Sequence, residues 1–299
     1  MKGNIIQASV LYPSYFSTGY PNSSFIPYIN YNNDDRVGID FDVTYKNKVG
    51  NIDFAIGMAG IYYDTEAARR AEMFENDYQY REGTPLDGMW GLRSNGLFAN
   101  EEEIANAPSQ EALGDVAPGD IRYIDQNGDG IINDQDQVYL GKAGWNGAPF
   151  SAGLHVSATW KNFTFFALAT GQAGAQAMKD NSYFWIDGED KYSITVRDRW
   201  TPETANTATF PRLTTQNASN NYRASDYWLY STDRIDLAKV QLSYDLPSSI
   251  LGDGLFKNFN IYISGANLLT ISSEPELMEL NIGDAPRTRF YNLGVKALF

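Results

Sequence analysis

Apolar and polar residues alternate in several runs along this chain. Two alternating runs between residues 38 and 58 flank a polar turn at 46–51, which predicts a β-hairpin. Further runs, either alternating or apolar on both faces, lie at 153–160, 163–170, 239–246, 259–269 and 291–299. The pattern therefore predicts antiparallel strands, most of which have one apolar and one polar face.

The connections between these strands alternate between short turns and very long segments. The long segments lie at about 64–149, 171–233 and 272–286. Loops of that length are rare in compact soluble domains, whereas outer-membrane barrels have short turns at one end and long loops at the other. The predicted strands are about nine or ten residues long, which is the length that a tilted strand needs to cross a bilayer. These observations leave two architectures open, a transmembrane β-barrel and a soluble β-sandwich with large insertions.

Helical signal is weak. Short helices are predicted only at 65–76 and 101–107, both inside the first long connection. No run of apolar residues is long enough for a transmembrane helix. The first residues of the chain also lack the apolar core of a secretory signal. We therefore expect either a cytoplasmic protein or a chain whose natural beginning precedes Met1.

The composition excludes several classes of protein. The 299 residues carry 37 acidic and 23 basic side chains, and this net charge of −14 argues against a nucleic-acid backbone as partner. The chain has no Cys and a single His, which excludes thiolate metal sites, cysteine nucleophiles and zinc motifs with two imidazoles. Residues 64–143 alone hold 17 acidic and 6 basic side chains. Most of the negative charge is therefore expected in the first long loop.

The most specific local motif is an acidic loop at 125–136. Its side-chain oxygens stand at loop positions 1, 3, 5, 9 and 12, and the backbone carbonyl at position 7 completes the spacing of a calcium-type loop. The predicted metal ligands are Asp125, Asn127, Asp129, Ile131, Asn133 and Asp136. Gly130 supplies the sharp turn, but no flanking helix pair is apparent, so we expect one Ca²⁺ that stiffens the loop. The alternative is a turn held by its own side-chain-to-backbone hydrogen bonds.

No constellation in the sequence predicts an enzyme, a catalytic residue or an organic cofactor. His155 lies on the polar face of a predicted strand, without a Cys or a G-x-S-x-G motif to form a nucleophilic site. We interpret it as a polar lumen or surface residue. Aromatic residues cluster at 62–63, 183–185 and 227–230, where predicted strands meet loops. Three interpretations stay open for them: a girdle at a membrane interface, packing within the loops, and stacking on sugar rings.

Several motifs resemble one family in their order as well as in their residues. The stretch 118–132 reads PGDIRYIDQNGDGII and is followed by RWTPE at 199–203 and PRL at 211–213. Next come SDYWLY at 225–230, LAKVQLSYDLP at 237–247, GANLL at 265–269 and a terminal aromatic residue, Phe299. Over essentially the whole chain this series resembles the SusC/RagA family of TonB-dependent outer-membrane transporters.

The resemblance implies the C-terminal part of a 22-stranded barrel whose pore is closed by an N-terminal plug. It also implies import of an oligosaccharide, with a peptide as the less favoured substrate, in partnership with a SusD-like surface lipoprotein and with energy from TonB. A signal peptide, a TonB box and the plug are expected before Met1. Phe299 continues the alternation of the last strand and is expected to be the signal for the barrel-assembly machinery.

We therefore expect an all-β, antiparallel chain of roughly eight to ten membrane-spanning strands. It would supply barrel wall and extracellular loops in the outer membrane of a Gram-negative cell, in contact with outer-membrane lipid. Two alternatives stay open. One is a soluble, secreted calcium-binding β protein that recognises glycans, and the other is a small self-closing outer-membrane pore.

Overall fold

The computed structural model describes residues 4–7, 28–144, 147–186, 188, 193–215, 219–251 and 257–299. Its strands are β1 (Asn4–Gln7), β2 (Tyr28–Val49), β3 (Ile52–Arg69), β4 (Gly88–Gly91), β5 (Ser94–Leu97), β6 (Ile121–Tyr123), β7 (Val138–Lys142), β8 (Phe150–Trp160), β9 (Phe163–Ala173), β10 (Gln176–Met178), β11 (Leu229–Ser231), β12 (Arg234–Asp245), β13 (Asn258–Ser272) and β14 (Phe290–Leu298). Its α-helices are α1 (Glu101–Ala105), α2 (Ser248–Leu251) and α3 (Pro275–Leu280). Within the described ranges, no helix has the length and apolar character needed to cross a membrane.

One large antiparallel sheet contains eight of these strands in the order β1-β2-β3-β8-β9-β12-β13-β14. Two-residue turns join β2 to β3 and β8 to β9, and Gly50 and Lys161 adopt positive φ angles of 60° and 54° in them. A positive φ at a turn residue matches the twist of the flanking strands. The prediction of an antiparallel all-β fold is confirmed.

The first hairpin is longer than predicted. β2 has 22 residues and β3 has 18, against an expected length of about nine or ten. Residues 46–49, which the sequence analysis assigned to the turn, belong to β2. The turn needs only two residues because glycine tolerates a positive φ, and Lys48 Nζ lies 3.0 Å from the Asp53 carboxylate across the strand pair.

Of the two predicted helices, one is confirmed and one is wrong. α1 begins where expected, because the Asn100 side chain accepts a hydrogen bond from the Glu103 N–H and caps the helix. The helix predicted at 65–76 does not form, since β3 continues to Arg69. Ala67 is only 2% exposed, and its backbone pairs with that of Thr84. This tertiary pairing outweighs a weak local helical preference.

The chain divides into two compact units. The loop unit comprises Met1–Val37, Asp64–Ala143 and Gln176–Tyr230, and the sheet unit comprises Gly38–Tyr63, Gly144–Ala175 and Ser231–Phe299. The loop unit holds 26 acidic and 14 basic residues, whereas the sheet unit holds 11 and 9. The negative charge of the chain therefore belongs almost entirely to the loop unit.

Buried amide side chains organise the loop unit around β6. The Gln110 side chain donates to the carbonyl of Ile121 and accepts from the N–H of Tyr123, while the Asn221 side chain accepts from the N–H of Ile121. Gln110 also donates to the Asn220 side chain. β6 pairs with β5 along one edge. Along its other edge these amides take the place of a second neighbouring strand, so the backbone groups of β6 are satisfied on both sides.

The aromatic residues at 183–185 and 227–230 pack within the loop unit. Trp228 is 3% exposed and its indole N–H donates to the carbonyl of Asn221 at 2.8 Å. Phe184 is also buried, and the rings of Trp185 and Phe210 lie 6.4 and 5.8 Å from that of Trp228. Of the three interpretations, loop packing describes these two clusters.

Candidate functional site

One face of the sheet unit is apolar. The registers place Met58 opposite Leu154, Leu154 opposite Ala169, Ala169 opposite Leu237 and Leu237 opposite Leu269. Large exposed side chains on the same face are Ile52, Ile56, Met58, Tyr62, Leu154, Trp160, Phe163, Phe165, Ile235, Leu242, Ile261, Ile263, Leu269, Ile271, Tyr291, Leu293 and Val295. No Asp, Glu, Lys or Arg lies on this face in the described strands of the unit. A contiguous uncharged surface of this kind is suited to lipid or to an apolar partner.

Aromatic rings mark one end of this apolar face. Trp160 and Phe163 stack beside the β8–β9 turn with ring centres 6.4 Å apart, and the Tyr244 ring lies 4.6 Å from that of Phe163. Lys161 Nζ lies 4.9 Å from the centre of the Trp160 ring. In the sequence, the only signal for this arrangement is the place of these residues at the ends of the predicted strands. Such amphipathic residues are typical of a bilayer interface.

The opposite face of the sheet unit is polar and includes His155. The imidazole lies over Gly57, so closely that a Cβ at residue 57 would stand 2.1 Å from its Cε1 atom. A side chain at residue 57 would therefore force the imidazole to move. Among the described residues, no Cys joins His155 in a nucleophilic arrangement, and its position on the polar face agrees with the interpretation made from the sequence.

A groove of about 670 Å³ crosses this polar face. Its walls and floor include Asp40, Asp42, Ala59, Ile61, Ser151, Gly153, Thr170, Gln172, Arg234, Asp236 and Arg287. These residues come from five strands and from the connection between β13 and β14. Sequence reasoning missed the groove because no local pattern shows that these segments become neighbours.

The two ends of the groove carry opposite charge. At one end, the Asp236 carboxylate accepts hydrogen bonds from Arg287 Nη1 at 2.7 Å, Arg234 Nε at 3.0 Å and Thr270 Oγ1 at 2.6 Å. Two guanidinium groups surround this one carboxylate, so the end has an excess of positive charge. At the other end, Asp40 and Asp42 are exposed, and no ion pair involves either of them in the described part of the chain.

The acidic loop at 125–136 forms a tight turn in the loop unit. Asp125 accepts from the N–H groups of Gly128 and Gly130 at 2.7 and 2.8 Å. Asp136 is fully buried and accepts from the N–H groups of Gln126 and Asn133, both at 2.8 Å. Asp136 therefore ties the beginning of the loop to its end. The predicted sharp turn is present, since Gly130 has a φ of 85°.

The remaining predicted ligands also make local hydrogen bonds. The side chains of Asn127, Asp129 and Asn133 each accept a hydrogen bond from the backbone N–H two residues further on. These are the side-chain-to-backbone bonds expected for the alternative interpretation, a turn that holds itself together without a metal ion. Within the described residues, no three His, Cys, Asp or Glu side chains are grouped to hold a metal ion. The donors are nevertheless all oxygens, as Ca²⁺ prefers, and a carboxylate oxygen that accepts one N–H keeps a second acceptor site. The chemistry of the donor set fits Ca²⁺, and binding stays a prediction.

Tyr123, at the end of β6, makes the free energy of unfolding of the loop unit depend on pH. Burial raises the pKa of its phenol above the ordinary value of 10.0, and the hydroxyl donates to the carbonyl of Asn220 at 2.8 Å. Above that ordinary value, an unfolded chain loses the proton that the folded unit keeps. The free energy of unfolding therefore falls as pH rises beyond ~10, by up to ~1.4 kcal/mol per pH unit.

We expect Tyr123→Phe to reduce this slope, as measured by urea unfolding between about pH 8 and pH 12. Part of the slope will remain, because burial also raises the pKa of Tyr227. An equal slope in Tyr123→Phe and the unmodified protein would contradict the prediction.

Phe299 follows β14 directly and is 66% exposed. It continues the phase of Tyr291, Leu293 and Val295 on the apolar face. The structure thus places it where the alternation predicted, and its role in barrel assembly stays a prediction.

Comparison with known proteins gives relatives in sequence and in structure, although no protein-family model matches the chain. TonB-dependent receptor P26 of Formosa agariphila is 28% identical over 230 residues, which cover 70% of this chain and 22% of the relative. TonB-dependent receptor P3 of the same organism is 24% identical over 238 residues, which cover 73% and 23%. The chain therefore spans less than a quarter of the length of these curated relatives.

Three solved structures share the fold. The RagAB peptide transporter aligns with a TM-score of 0.65 and 16% identity over 92% of this chain and 30% of that chain. The RagAB peptide importer aligns in its open-open state with a TM-score of 0.68 and 15% identity over 100% and 31%. Its closed-closed state gives 0.66 and 17% over 93% and 31%. Together with the curated relatives, these likenesses confirm the predicted resemblance to SusC/RagA-family TonB-dependent transporters.

Proposed function

We propose that this chain is part of a TonB-dependent transporter in the outer membrane of a Gram-negative cell, where it supplies pore wall and extracellular loops for nutrient import. The observation that carries the proposal is the sheet unit with an uncharged, exposed apolar face opposite a polar face. Soluble sheets bury their apolar face against a core, whereas a membrane barrel turns it to lipid and its polar face to the lumen. The names of the curated relatives point in the same direction.

The two units have separate tasks in this proposal. The sheet unit contacts outer-membrane lipid, and Phe299 at its end acts in barrel assembly. The loop unit is hydrated by its net negative charge and lies outside the cell, where it contributes to the surface that meets a SusD-like lipoprotein. TonB supplies energy through an N-terminal region outside this chain. The family resemblance supports both partners, and no step requires bond-making residues.

The substrate is proposed at the level of an oligomeric nutrient. The sequence resemblance favours an oligosaccharide over a peptide, whereas the solved structures of similar fold are a peptide transporter and a peptide importer. Fold likeness alone does not decide between the two classes.

Cell fractionation tests the proposed function directly. The full-length protein should be recovered with outer-membrane vesicles and should require detergent for extraction. Recovery of native protein from a soluble periplasmic or culture fraction would instead favour the secreted glycan-binding alternative. Heat-modifiable gel migration of residues 1–299 expressed alone would favour the small self-closing pore, because only a closed barrel resists unfolding by detergent in the cold.

We also propose that the acidic loop binds one Ca²⁺, which is not needed for transport chemistry but stiffens the loop unit. Asp125→Ala combined with Asp129→Ala should abolish calcium binding, measured by isothermal titration of the full-length protein with CaCl₂. It should loosen the loop without unfolding the strands of the sheet unit. Asp134→Ala is the matched control, because Asp134 lies in the same loop at a position without a predicted ligand. Unchanged calcium affinity in the double variant would refute the metal assignment.

A further inference from the structure

We propose that the β8–β9 turn binds the headgroup of an anionic phospholipid, of the phosphatidylglycerol kind, on the apolar side of the sheet unit. The lipid phosphate would contact the ammonium group of Lys161, and the acyl chains would lie along the apolar face that begins at Trp160 and Phe163. This inference rests on the proposed function, because it names the lipid that the pore wall contacts at one edge of the membrane.

The ammonium group of Lys161 lies on the apolar side of its turn. Its Nζ atom is 4.9 Å from the centre of the Trp160 ring. The registers place Trp160 between Ile52 and Phe163, on the face of the sheet that carries no charged residue in the described strands. Lys161 is exposed, and so is 48% of Trp160. A cation over an aromatic ring at the margin of an apolar surface stands at the level of lipid headgroups.

No carboxylate forms an ion pair with Lys161 in the described part of the chain. The two aspartates described near this turn lie on the polar face and have other partners. Asp53 pairs with Lys48 at 3.0 Å, and the Asp245 carboxylate accepts from the Asn260 side chain at 2.8 Å. The ammonium group is therefore free to attract an anion from outside the chain.

The backbone of the turn holds Lys161 in an unusual conformation. Its φ angle is 54°, in a region that favours glycine, and Gly50 has a φ of 60° in the other two-residue turn. The neighbouring Asn162 fixes the turn to β12, because its side chain donates to the carbonyl of Asp245 at 2.8 Å and its own carbonyl accepts from the Asp245 N–H at 2.9 Å. A lysine at a position that favours glycine points to a role for the lysine side chain.

The charge of the sheet unit differs between its two ends. The end with the short turns carries five lysines and two aspartates among the described residues, and the remaining described residues of the unit carry four basic and eight acidic side chains. The residues at the turn end are Lys46, Lys48, Asp53, Lys161, Asp245, Lys257 and Lys296. Asp253 lies outside the described residues, and the sum stays positive if it is counted here. A positive edge beside an uncharged apolar face complements a bilayer surface that contains anionic phospholipid.

Other molecules fit this turn less well. A soluble phosphate or an acidic peptide would contact the ammonium group but would leave the apolar surfaces of Trp160, Phe163 and Ile52 in water. Phosphatidylcholine would cover those surfaces, but its headgroup has no net negative charge. Lipid A is anionic, but it belongs to the outer leaflet, whereas the short turns lie on the periplasmic side in the proposed function. An anionic glycerophospholipid satisfies the cation, the apolar face and the side of the membrane together.

Lipid binding is tested on the full-length protein in detergent, by native mass spectrometry during titration with dioleoyl phosphatidylglycerol, dioleoyl phosphatidylcholine or lipid A. We expect the first phosphatidylglycerol to bind about five-fold more tightly than the first phosphatidylcholine, because one lysine near the headgroup contributes an effect of this size. Lipid A should bind no more tightly than phosphatidylglycerol, and excess glycerol 1-phosphate should not displace the bound lipid. Equal affinity for the two phospholipids, tighter binding of lipid A or displacement by glycerol 1-phosphate would overturn the proposal.

Three variants locate the effect at the turn. Lys161→Asn removes the charge but keeps a residue that tolerates a positive φ, and it should abolish the preference for phosphatidylglycerol, whereas Lys161→Arg should retain it. Lys48→Asn is the matched control, because Lys48 lies beside the other short turn and is already paired with Asp53. A preference that survives in Lys161→Asn, or that Lys48→Asn also abolishes, would refute the assignment to this turn. Failure of the underlying function is distinguishable, because the unmodified protein would then be missing from the outer-membrane fraction.

Discussion

Val240→Arg should destabilise the protein in the membrane by ~2–4 kcal/mol. Val240 lies in the middle of β12 and pairs with Ala167 and Gly265 on the apolar face. A charge in the middle of a lipid-facing strand is moved from water into hydrocarbon, and an arginine there has no partner to neutralise it. The free energy of unfolding, measured by urea titration of the full-length protein in phospholipid vesicles, should fall by this amount.

Gln241→Arg is the matched control for that experiment. Gln241 is the next residue in the same strand at nearly the same depth, but it faces the polar side together with Ser264 and Phe166. Arginine at this position remains in a polar environment, as the native Lys239 does two residues earlier, so little change is expected. Equal destabilisation by the two substitutions would contradict the assignment of the apolar face to lipid.

Asp120→Ala should destabilise the loop unit by ~3–5 kcal/mol. The Asp120 side chain is 1% exposed and accepts two hydrogen bonds from Arg212 at 2.8 and 3.1 Å, with further bonds from Asn221 and the Ala117 N–H. Removing the carboxylate leaves a guanidinium group and two other donors without an acceptor. Faster hydrogen exchange of the loop unit, with unchanged exchange in the sheet unit, is the expected measurement.

The exposed Asp115 provides the control for this prediction. Asp115→Ala removes a carboxylate five residues away that has no comparable set of bonds, and a change of less than ~0.5 kcal/mol is expected. Replacing the pair together, as Asp120→Leu with Arg212→Met, should recover much of the loss because neither charge is then left buried alone. Hydrogen exchange in Asp120→Ala no faster than in Asp115→Ala would show that the buried ion pair does not hold the loop unit.

The predictions for Val240 and Asp120 depend on neighbouring residues, and only those of Val240 could be predicted from the sequence. Val240 stands in the run 239–246, whose alternation alone assigns it to the apolar face. Asp120 lies in the motif 118–132 that carries the family resemblance, yet its partners Arg212 and Asn221 are about 90 to 100 residues away. Local chemistry gives no reason to pair them, because their proximity follows from the folding of two separate segments.

In the acidic loop, too, some features could be predicted from the sequence and others could not. The spacing of its oxygens and the turn at Gly130 were evident from the sequence, because both depend on residues within one turn of chain. The burial of Asp136 and its hydrogen bond from the N–H of Gln126 were not evident from the sequence, since burial depends on what packs over the loop. The incorrect helix at 65–76 has the same cause, because backbone hydrogen bonds of Ala67 with Gly83 and Thr84 outweighed the local helical preference.

The antiparallel strands, the faces taken by the residues of the alternating runs and the concentration of negative charge in the long connections can all be predicted from the sequence. These properties follow from a period of two and from composition, which are local or additive. The buried amide side chains beside β6, the place of the aromatic clusters in the loop unit and the groove between Asp40 and Arg287 become visible only in the folded structure. Each of these needs residues from distant segments to meet, and the order of strands in a sheet is set by packing and pairing across the whole chain.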